Sequence, residues 1–206
     1  MITVAAFDFD ETLTKRDTVV PFLRRFTSLH RFAVSLLPHA LRLVPIATRR
    51  DRNRFRALAT DIVFRGRPVV EVEAVATSWG ASIAETLLRA DTVARLQWHV
   101  EQGHRVVIVT ASYEQYVRVV ADVLGGVAVV GTRLEVADGR CTGRLDGPNC
   151  RGPEKLRRLE AWLAAEGLDR RDVTLYAYGD SSGDRELLAA ADHPHWVTGP
   201  LASVAP

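Results

Sequence analysis

Three short polar segments of the sequence stand where predicted β-strands end. The first is Asp8-Phe9-Asp10-Glu11-Thr12, the second is Thr110-Ala111-Ser112, and the third runs from Gly179 to Asp184. Because ligands of an open parallel sheet bind beyond the carboxyl ends of its strands, we expect these segments to meet at one edge. Carboxylates held close together repel one another, and a hard cation such as Mg²⁺, which prefers oxygen ligands, relieves the repulsion. The segments therefore predict a magnesium site.

The spacing of two aspartates suggests that one acts as a nucleophile and the other as a general acid and base. Asp8 and Asp10 are two positions apart, so on a strand their side chains point the same way and both can address one substrate. One carboxylate can attack phosphorus, while the other donates and then accepts a proton.

Lys155 is the predicted positive partner of these acids. It follows Gly152-Pro153-Glu154 at the start of a predicted helix, where Pro is favoured. The helix dipole prefers anions at that end, so the position is mildly unfavourable for a lysine. This placement indicates a clamp for a phosphate or a carboxylate rather than a surface lysine.

The elements that must position these residues alternate between strand and helix. Apolar runs predict strands at residues 3–9, 105–109, 127–130, 173–178 and 195–197. Periodic patterns predict helices at residues 92–102, 114–124, 154–166 and 184–191. A turn at residues 137–140 predicts a hairpin. Strands separated by helices favour an α/β fold with a doubly wound parallel sheet.

A helical insertion is predicted after the first strand. Residues 19–87 show helical spacing interrupted by four prolines. We therefore predict a core of residues 1–14 and 85–206 and a small helical cap of residues 15–84. The net charge is only +2, yet between Lys15 and Ala84 thirteen Lys or Arg accompany five Asp or Glu. A basic cap suggests that it faces something anionic.

The composition limits the class of protein. A chain of 206 residues that is 47% hydrophobic and 25% charged is typical of a globular protein. We expect a cytoplasmic location, because no secretion signal is recognised and two cysteines suffice for neither a disulfide framework nor a zinc site. The most apolar stretch, residues 32–47, is shorter than the ~20 residues that span a bilayer.

Four motifs, in this order, resemble those of the haloacid dehalogenase superfamily: Asp8-Phe9-Asp10-Glu11-Thr12, Thr110, Lys155 and Gly179-Asp180-Ser181-Ser182-Gly183-Asp184. The likeness covers nearly the whole chain, and the helical insertion resembles the cap of the phosphoserine-phosphatase-like branch, subfamily IB. The resemblance implies a Rossmann-like core, Mg²⁺ as cofactor, and hydrolysis of a phosphomonoester through an aspartyl-phosphate. Dehalogenases and phosphonate-cleaving members lack the second aspartate, which favours ester hydrolysis.

The resemblance also implies a role for each site residue. Asp8 is the implied nucleophile and Asp10 the implied general acid and base. The implied metal ligands are Asp8, Asp10 (through its backbone carbonyl) and Asp180, with Asp184 and Ser181 supporting them. The implied phosphate-binding residues are Thr12, Thr110, Ala111 and Lys155.

Two positions depart from the family pattern. Glu11 stands where a small residue, often Gly, is usual, and is expected to crowd the loop. Ala111-Ser112 replaces the Gly-Gly pair of phosphoserine phosphatases. Neither departure removes a catalytic group.

The cap is expected to choose the substrate, for which a small phosphorylated metabolite is predicted. Asp17 aligns with an acidic residue that holds the amino group in phosphoserine phosphatases. Their carboxylate-binding arginine, however, aligns near Thr60, so phosphoserine is not favoured. We name Asp17, Arg54 and Arg56 as the candidate specificity residues, although Arg54 and Arg56 point elsewhere if the helix register holds.

A lipid substrate is the main alternative. Arg49, Arg50 and Arg52 adjoin the apolar stretch of residues 32–47, which suits peripheral contact with an anionic membrane or a phospholipid head group. A lipid-phosphate phosphatase of the phosphatidylglycerophosphate or lysophosphatidate type would fit this pattern. The simpler interpretation is that these apolar residues form the core of the cap.

Two non-enzymatic alternatives stay open: a degenerate phosphatase fold, and a basic cap that binds anions. Nucleic acid is not an expected partner, because no interleaved aromatic residues accompany the arginines.

Overall fold

The structure, a computed structural model, describes residues 2–28, 30, 34 and 51–201. Arg49, Arg50 and nearly all of the apolar stretch of residues 32–47 lie outside the described residues, so the predicted membrane contact stays a prediction there. Within the described residues, no helix combines the length and the apolar character needed to cross a bilayer.

Five parallel strands form the central sheet. They are β1 (Ile2–Phe7), β2 (Arg105–Tyr113), β3 (Ala128–Thr132), β6 (Val173–Gly179) and β7 (His193–Trp196), in the spatial order β3-β2-β1-β6-β7. The chain moves from β1 towards β3 on one side and from β6 to β7 on the other, so the order reverses beside β1. The carboxyl end of β1 therefore lies at the switch point where such sheets bind ligands.

Helices α4 (Ala90–Glu101), α5 (Glu114–Val123), α6 (Pro153–Ala165) and α7 (Arg185–Ala189) cover the two faces of this sheet. Helices α1 (Val19–Leu23), α2 (Arg52–Phe64) and α3 (Val69–Thr86) precede them in the chain. Alternate residues of β1 enter opposite cores: Ala5 and Phe7 join one apolar cluster, and Val4 and Ala6 join the other. The predicted α/β fold with a doubly wound sheet is confirmed.

The described part of the predicted cap is helical. Helices α1, α2 and α3 lie between β1 and β2 in the chain, as the sequence predicts. Helix α3 packs closely on α5, because a Cβ at Gly80 would lie 2.6 Å from Cβ of Val119. The boundaries of the cap at residues 15 and 84 stay a prediction.

A two-stranded hairpin joins the insertion to the core. Strands β4 (Leu134–Ala137) and β5 (Arg140–Leu145) are antiparallel, and Asp138 and Gly139 between them have φ of 50° and 71°, as a tight hairpin turn requires. The hairpin also bonds to the segment between α2 and α3. Gly66 donates its N–H to the carbonyl of Cys141 at 2.8 Å, and Cys141 donates to the carbonyl of Arg67 at 2.9 Å.

Several strand boundaries differ from the prediction. The first strand ends at Phe7 rather than at residue 9, and the last is His193–Trp196 rather than residues 195–197. The second strand differs most. Strand β2 does not end at Val109 but continues to Tyr113, which pairs with Thr132 after a shift in register. The polar segment Thr110-Ala111-Ser112 therefore lies within the irregular last part of the strand rather than after it.

A histidine lies buried at the far end of α4. His99 is fully buried, with Nδ1 2.8 Å from Nδ1 of His104 and Nε2 2.9 Å from the hydroxyl of Tyr178. Burial, with added repulsion from His104, lowers the pKa of His99 to about 3. The fold therefore favours the neutral imidazole.

We expect acid to destabilise the fold through His99. The unfolded chain binds a proton on this residue below about pH 6.5 while the folded chain does not, so stability is complete above that pH and is lost as the pH falls towards about 3. Urea midpoints at pH 7.5 and 5.0 should fall less on acidification in His99→Gln than in the wild type. The exposed His30, changed to Gln, is the control, and equal acid sensitivity of all three proteins would contradict this assignment.

Candidate active site

The centre of the site is a buried lysine between two carboxylates. Asp8 follows β1 directly, and its N–H donates to the carbonyl of Tyr178 at 2.8 Å, which continues the pairing with β6. Lys155 is the third residue of α6, and Pro153 occupies the first position, as predicted. The Nζ of Lys155 donates to Oδ1 of Asp8 at 2.5 Å and to Oδ1 of Asp184. Lys155 is 2% exposed, so these ions are shielded from water.

A third carboxylate completes an oxygen cluster. Oxygens of Asp8, Asp180 and Asp184 lie within 4.8 Å of one another. Burial raises the pKa of Asp8, although the charge of Lys155 opposes this effect. Three carboxylates thus face one ammonium group, and an all-oxygen donor set with surplus negative charge fits Mg²⁺.

The three carboxylates are not equivalent. Oδ2 of Asp184 accepts hydrogen bonds from the N–H of Ser181 at 3.0 Å and from its hydroxyl at 2.9 Å, and Oδ1 accepts from Lys155. Both oxygens of Asp184 are therefore occupied by the protein, which suits the predicted supporting role. Asp8 and Asp180 are better placed as direct ligands.

The loop that carries Asp180 depends on two neighbours. The hydroxyl of Thr12 donates to Oδ1 of Asp180 at 3.1 Å. At Gly179 a Cβ would lie 2.6 Å from Cβ of Asp184, so only glycine fits where β6 ends. Thr12 is buried, and its bond to Asp180 steadies the loop; its predicted contact with phosphate stays a prediction.

Asp10 lies in a separate hydrogen-bonded pocket. Its Oδ1 accepts from the N–H of Thr18 at 2.9 Å and from the Thr18 hydroxyl at 2.5 Å, and its Oδ2 accepts from the hydroxyl of Ser112 at 2.5 Å. Burial, with added repulsion from Asp17, raises the pKa of Asp10 to about 6. A carboxyl group with this pKa can donate and accept protons near neutral pH.

The predicted metal contact of Asp10 is through its backbone carbonyl. The carboxylate of Asp10 is not part of the cluster formed by Asp8, Asp180 and Asp184. The carbonyl contact therefore stays a prediction.

A cavity of about 390 Å³ opens over these groups. The predicted site residues that line it are Asp8, Asp10, Asp17, Arg56, Thr110, Ala111, Lys155, Asp180 and Ser181. Arg54 is not among them, because it is exposed and pairs with Asp51 at 3.3 Å on the outside of α2. Its role as a specificity residue is therefore not supported by this cavity and stays a prediction.

Four lining residues had no predicted place in the site: Glu11, Arg52, Asn149 and Arg151. Asn149 and Arg151 lie in the loop just before Lys155, and this nearness in the sequence is a signal that could have found them. Thr18, which holds Asp10, carried no comparable signal.

The conformation of Glu11 explains why its position favours glycine. Its φ is 60°, in the left-handed region that side chains with a Cβ rarely adopt. The carbonyl of Glu11 accepts a hydrogen bond from Nη1 of Arg89 at 3.2 Å. Glu11 therefore departs from the family pattern by placing a residue with a Cβ in a backbone conformation that favours glycine.

Known proteins resemble the chain over most of its length. The family model of the haloacid dehalogenase-like hydrolases matches residues 5–189. Protein CicA of Caulobacter vibrioides is 38% identical, over 92% of this chain and 83% of the relative. A probable phosphatase of Mycobacterium tuberculosis is 30% identical, over 93% of this chain and 67% of the relative. The fold is shared with a substrate-bound phosphoserine phosphatase, with a TM-score of 0.60 and 19% identity over 93% of this chain and 83% of that one.

Replacing Lys155 by Met is expected to destabilise the metal-free protein by about 3–5 kcal/mol, because two buried carboxylates lose their shared partner. Urea unfolding at pH 8 in EDTA measures the change. Added Mg²⁺ should recover part of the loss, since a cation among the carboxylates relieves the same repulsion.

The chain offers one matched control, because Lys15 is its other lysine and is exposed. Lys15→Met should change the unfolding free energy by no more than about 0.5 kcal/mol. Equal stability of the two variants would refute a charged buried cluster.

Proposed function

Since the chain belongs to the haloacid dehalogenase-like hydrolase family, we propose that it hydrolyses a small phosphomonoester through a phosphorylated Asp8, with Mg²⁺ as cofactor. Its enzyme class, a phosphatase, follows from the family and from the relatives that share the fold. The single observation that carries the mechanism is the placement of Lys155 between Asp8 and Asp184, with Asp180 beside them.

The residues of the chain suggest the order of events. An oxygen of Asp8 attacks phosphorus, the bond to the ester oxygen breaks, and Asp10 gives its proton to the departing alkoxide. Asp10 then takes a proton from water, which attacks the acyl-phosphate and releases inorganic phosphate. Lys155 and Thr110, which both line the cavity, are placed to hold the phosphoryl oxygens.

The metal would be held by Asp8, Asp180 and the carbonyl of Asp10. When bound, Mg²⁺ supplies positive charge that offsets the carboxylates and the phosphoryl oxygens. This charge would also oppose the effect of burial, which raises the pKa of Asp8.

A small substrate is supported by the size of the cavity. About 390 Å³ is at the lower end of the range for pockets that hold small molecules. A phosphoserine-like substrate is the second candidate, because Asp17 and Arg56 both line the cavity and could pair with an ammonium and a carboxylate. Lipid phosphate stays an alternative, since Arg49 and Arg50 are outside the described residues.

Turnover of p-nitrophenyl phosphate with Mg²⁺ tests the proposal. Asp8→Asn is expected to lower kcat by at least about a thousandfold, because the amide is not a nucleophile. Acid quenching with a ³²P-labelled substrate should leave label on the wild type and not on this variant. Asp122→Asn, at an exposed position of α5, is the control for substitution as such. Undiminished turnover by Asp8→Asn would rule out the covalent route.

The pH dependence of the reaction tests the role of Asp10. The first step needs Asp10 protonated, so kcat/KM should fall as the pH rises above about 6. Repulsion from Asp17 helps to raise the pKa of Asp10, so Asp17→Asn should move this alkaline limb to lower pH. The substrate should be an alkyl phosphate, whose leaving group needs the proton. Glu11→Gln is the matched control. If the alkaline limb lies at the same pH in Asp17→Asn as in the wild type, Asp10 is not the acid.

A further inference from the structure

Three arginines line the cavity in addition to Lys155. Arg52 is the first residue of α2, Arg56 lies one turn further along, and Arg151 lies in the loop before α6. A phosphoryl group at Asp8 already has Lys155 as its cation. Carboxylates line the cavity as well, but within the described part of the chain none of the three arginines forms an ion pair with one of them, so the role of these arginines needs another explanation.

Twelve of the arginines that the structure describes pair with a carboxylate, but Arg52 and Arg151 do not. Arg54, Arg65 and Arg157, for comparison, each pair with a carboxylate three or four residues away along the chain. Within the described ranges, Arg52 forms no ion pair, and Arg151 forms none either, although its Nη2 donates to the hydroxyl of Ser182 at 3.1 Å. Both guanidinium groups are therefore available to bind an anion.

The placement of the two arginines is unfavourable without an anion. Arg52 stands in the first turn of α2, where the helix dipole disfavours cations, and the carboxylate of Asp51 that caps this helix bonds to Arg54 rather than to Arg52. Burial lowers the pKa of Arg151, and repulsion from Arg52 adds to the effect. The carboxylates of the oxygen cluster oppose this effect in part: Asp184, Asp8 and Asp180. An anion between them would remove both penalties.

The position of Arg151 is built into the neighbouring loop. A Cβ at Gly183 would lie 2.7 Å from the guanidinium carbon of Arg151, so the arginine lies directly against that glycine. Arg151 is half-buried, whereas a freely solvated arginine would be exposed. The loop that carries Asp180 and Asp184 therefore also fixes the direction of Arg151.

We propose that Arg52 and Arg151 form a second anion subsite, so that the preferred substrate is a phosphomonoester carrying another negatively charged group, a carboxylate or a phosphate. This inference rests on the proposed function, because it assumes that the reacting phosphoryl group lies at Asp8 and Lys155. Guanidinium groups bind both anions through paired hydrogen bonds.

Three esters with the same three-carbon skeleton test the subsite: glycerol 3-phosphate, 3-phosphoglycerate and glycerol 1,3-bisphosphate. The wild type should prefer one or both of the last two by about tenfold to a hundredfold in kcat/KM. Which of the two is preferred identifies the anion as carboxylate or phosphate. The preference ratio should fall to near one in Arg151→Gln and in Arg52→Gln, and should persist in Arg65→Gln, an exposed position directly after α2.

The ratio is measured within each protein preparation, so partial misfolding of a variant cancels. A wild type without a preference would overturn the proposal. So would an equal loss on all three esters in Arg151→Gln, because that result would place Arg151 on the reacting phosphoryl group.

Binding separates this inference from the proposed function. Calorimetry with Asp8→Asn and Mg²⁺ compares the affinities for glycerol 3-phosphate and 3-phosphoglycerate without turnover, in the presence and absence of Arg151→Gln. If the protein binds 3-phosphoglycerate more tightly than glycerol 3-phosphate but the wild type turns over neither, the proposed function is wrong and the subsite is supported. If the wild type turns over both esters without a difference in affinity, the subsite is wrong and the proposed function is supported.

Discussion

Asp8 and Asp184 share one buried ammonium group, and the rest of the site depends on that sharing. Each buried ion costs several kcal/mol in lost hydration, which is recovered only when the partners meet at hydrogen-bonding distance. Asp8 follows β1 directly, Asp184 lies in the loop after β6, and Lys155 lies in the first turn of α6. The arrangement therefore requires β1 and β6 to be neighbours in register. The pairing from Ile2↔Val173 to Phe7↔Tyr178 provides this alignment. A compact ammonium suits the narrow space between two carboxylates better than a planar guanidinium does.

Much of the fold follows from local patterns. Apolar runs alternating with amphipathic helices are sufficient to predict a parallel sheet, and the carboxyl-edge rule then brings Asp8, Thr110 and Asp180 together without any knowledge of side-chain contacts. The extension of β2 to Tyr113 escaped prediction, because it depends on a shifted pairing with Thr132 in another strand. Thr18 escaped for a related reason: its bonds to Asp10 depend on the path of the chain between them, which no periodicity encodes.

Residues that break local rules are concentrated at the cavity. Glu11 has a backbone conformation that favours glycine, Lys155 and Arg52 stand at helix starts that disfavour cations, and Arg151 lies against Gly183. Such conflicts between local preference and final position are expected where a site constrains the sequence. Arg54, which obeys the local rules by pairing with Asp51, lies outside the cavity. A conflict of this kind is thus a better guide to the site than charge alone.

The hydrogen bonds between the hairpin and the insertion couple the unfolding of helices α2 and α3 to that of the core. Backbone hydrogen bonds tie the segment at residues 66–69 to Cys141 and Gly139, and Lys15 bonds to the carbonyl of Leu87 where the chain enters and leaves the insertion. Helices α2 and α3 therefore cannot open as a separate unit without breaking bonds at both places. Their slowest amide protons should exchange with solvent only when the whole sheet unfolds, so that the insertion and the core behave as a single cooperative foldon.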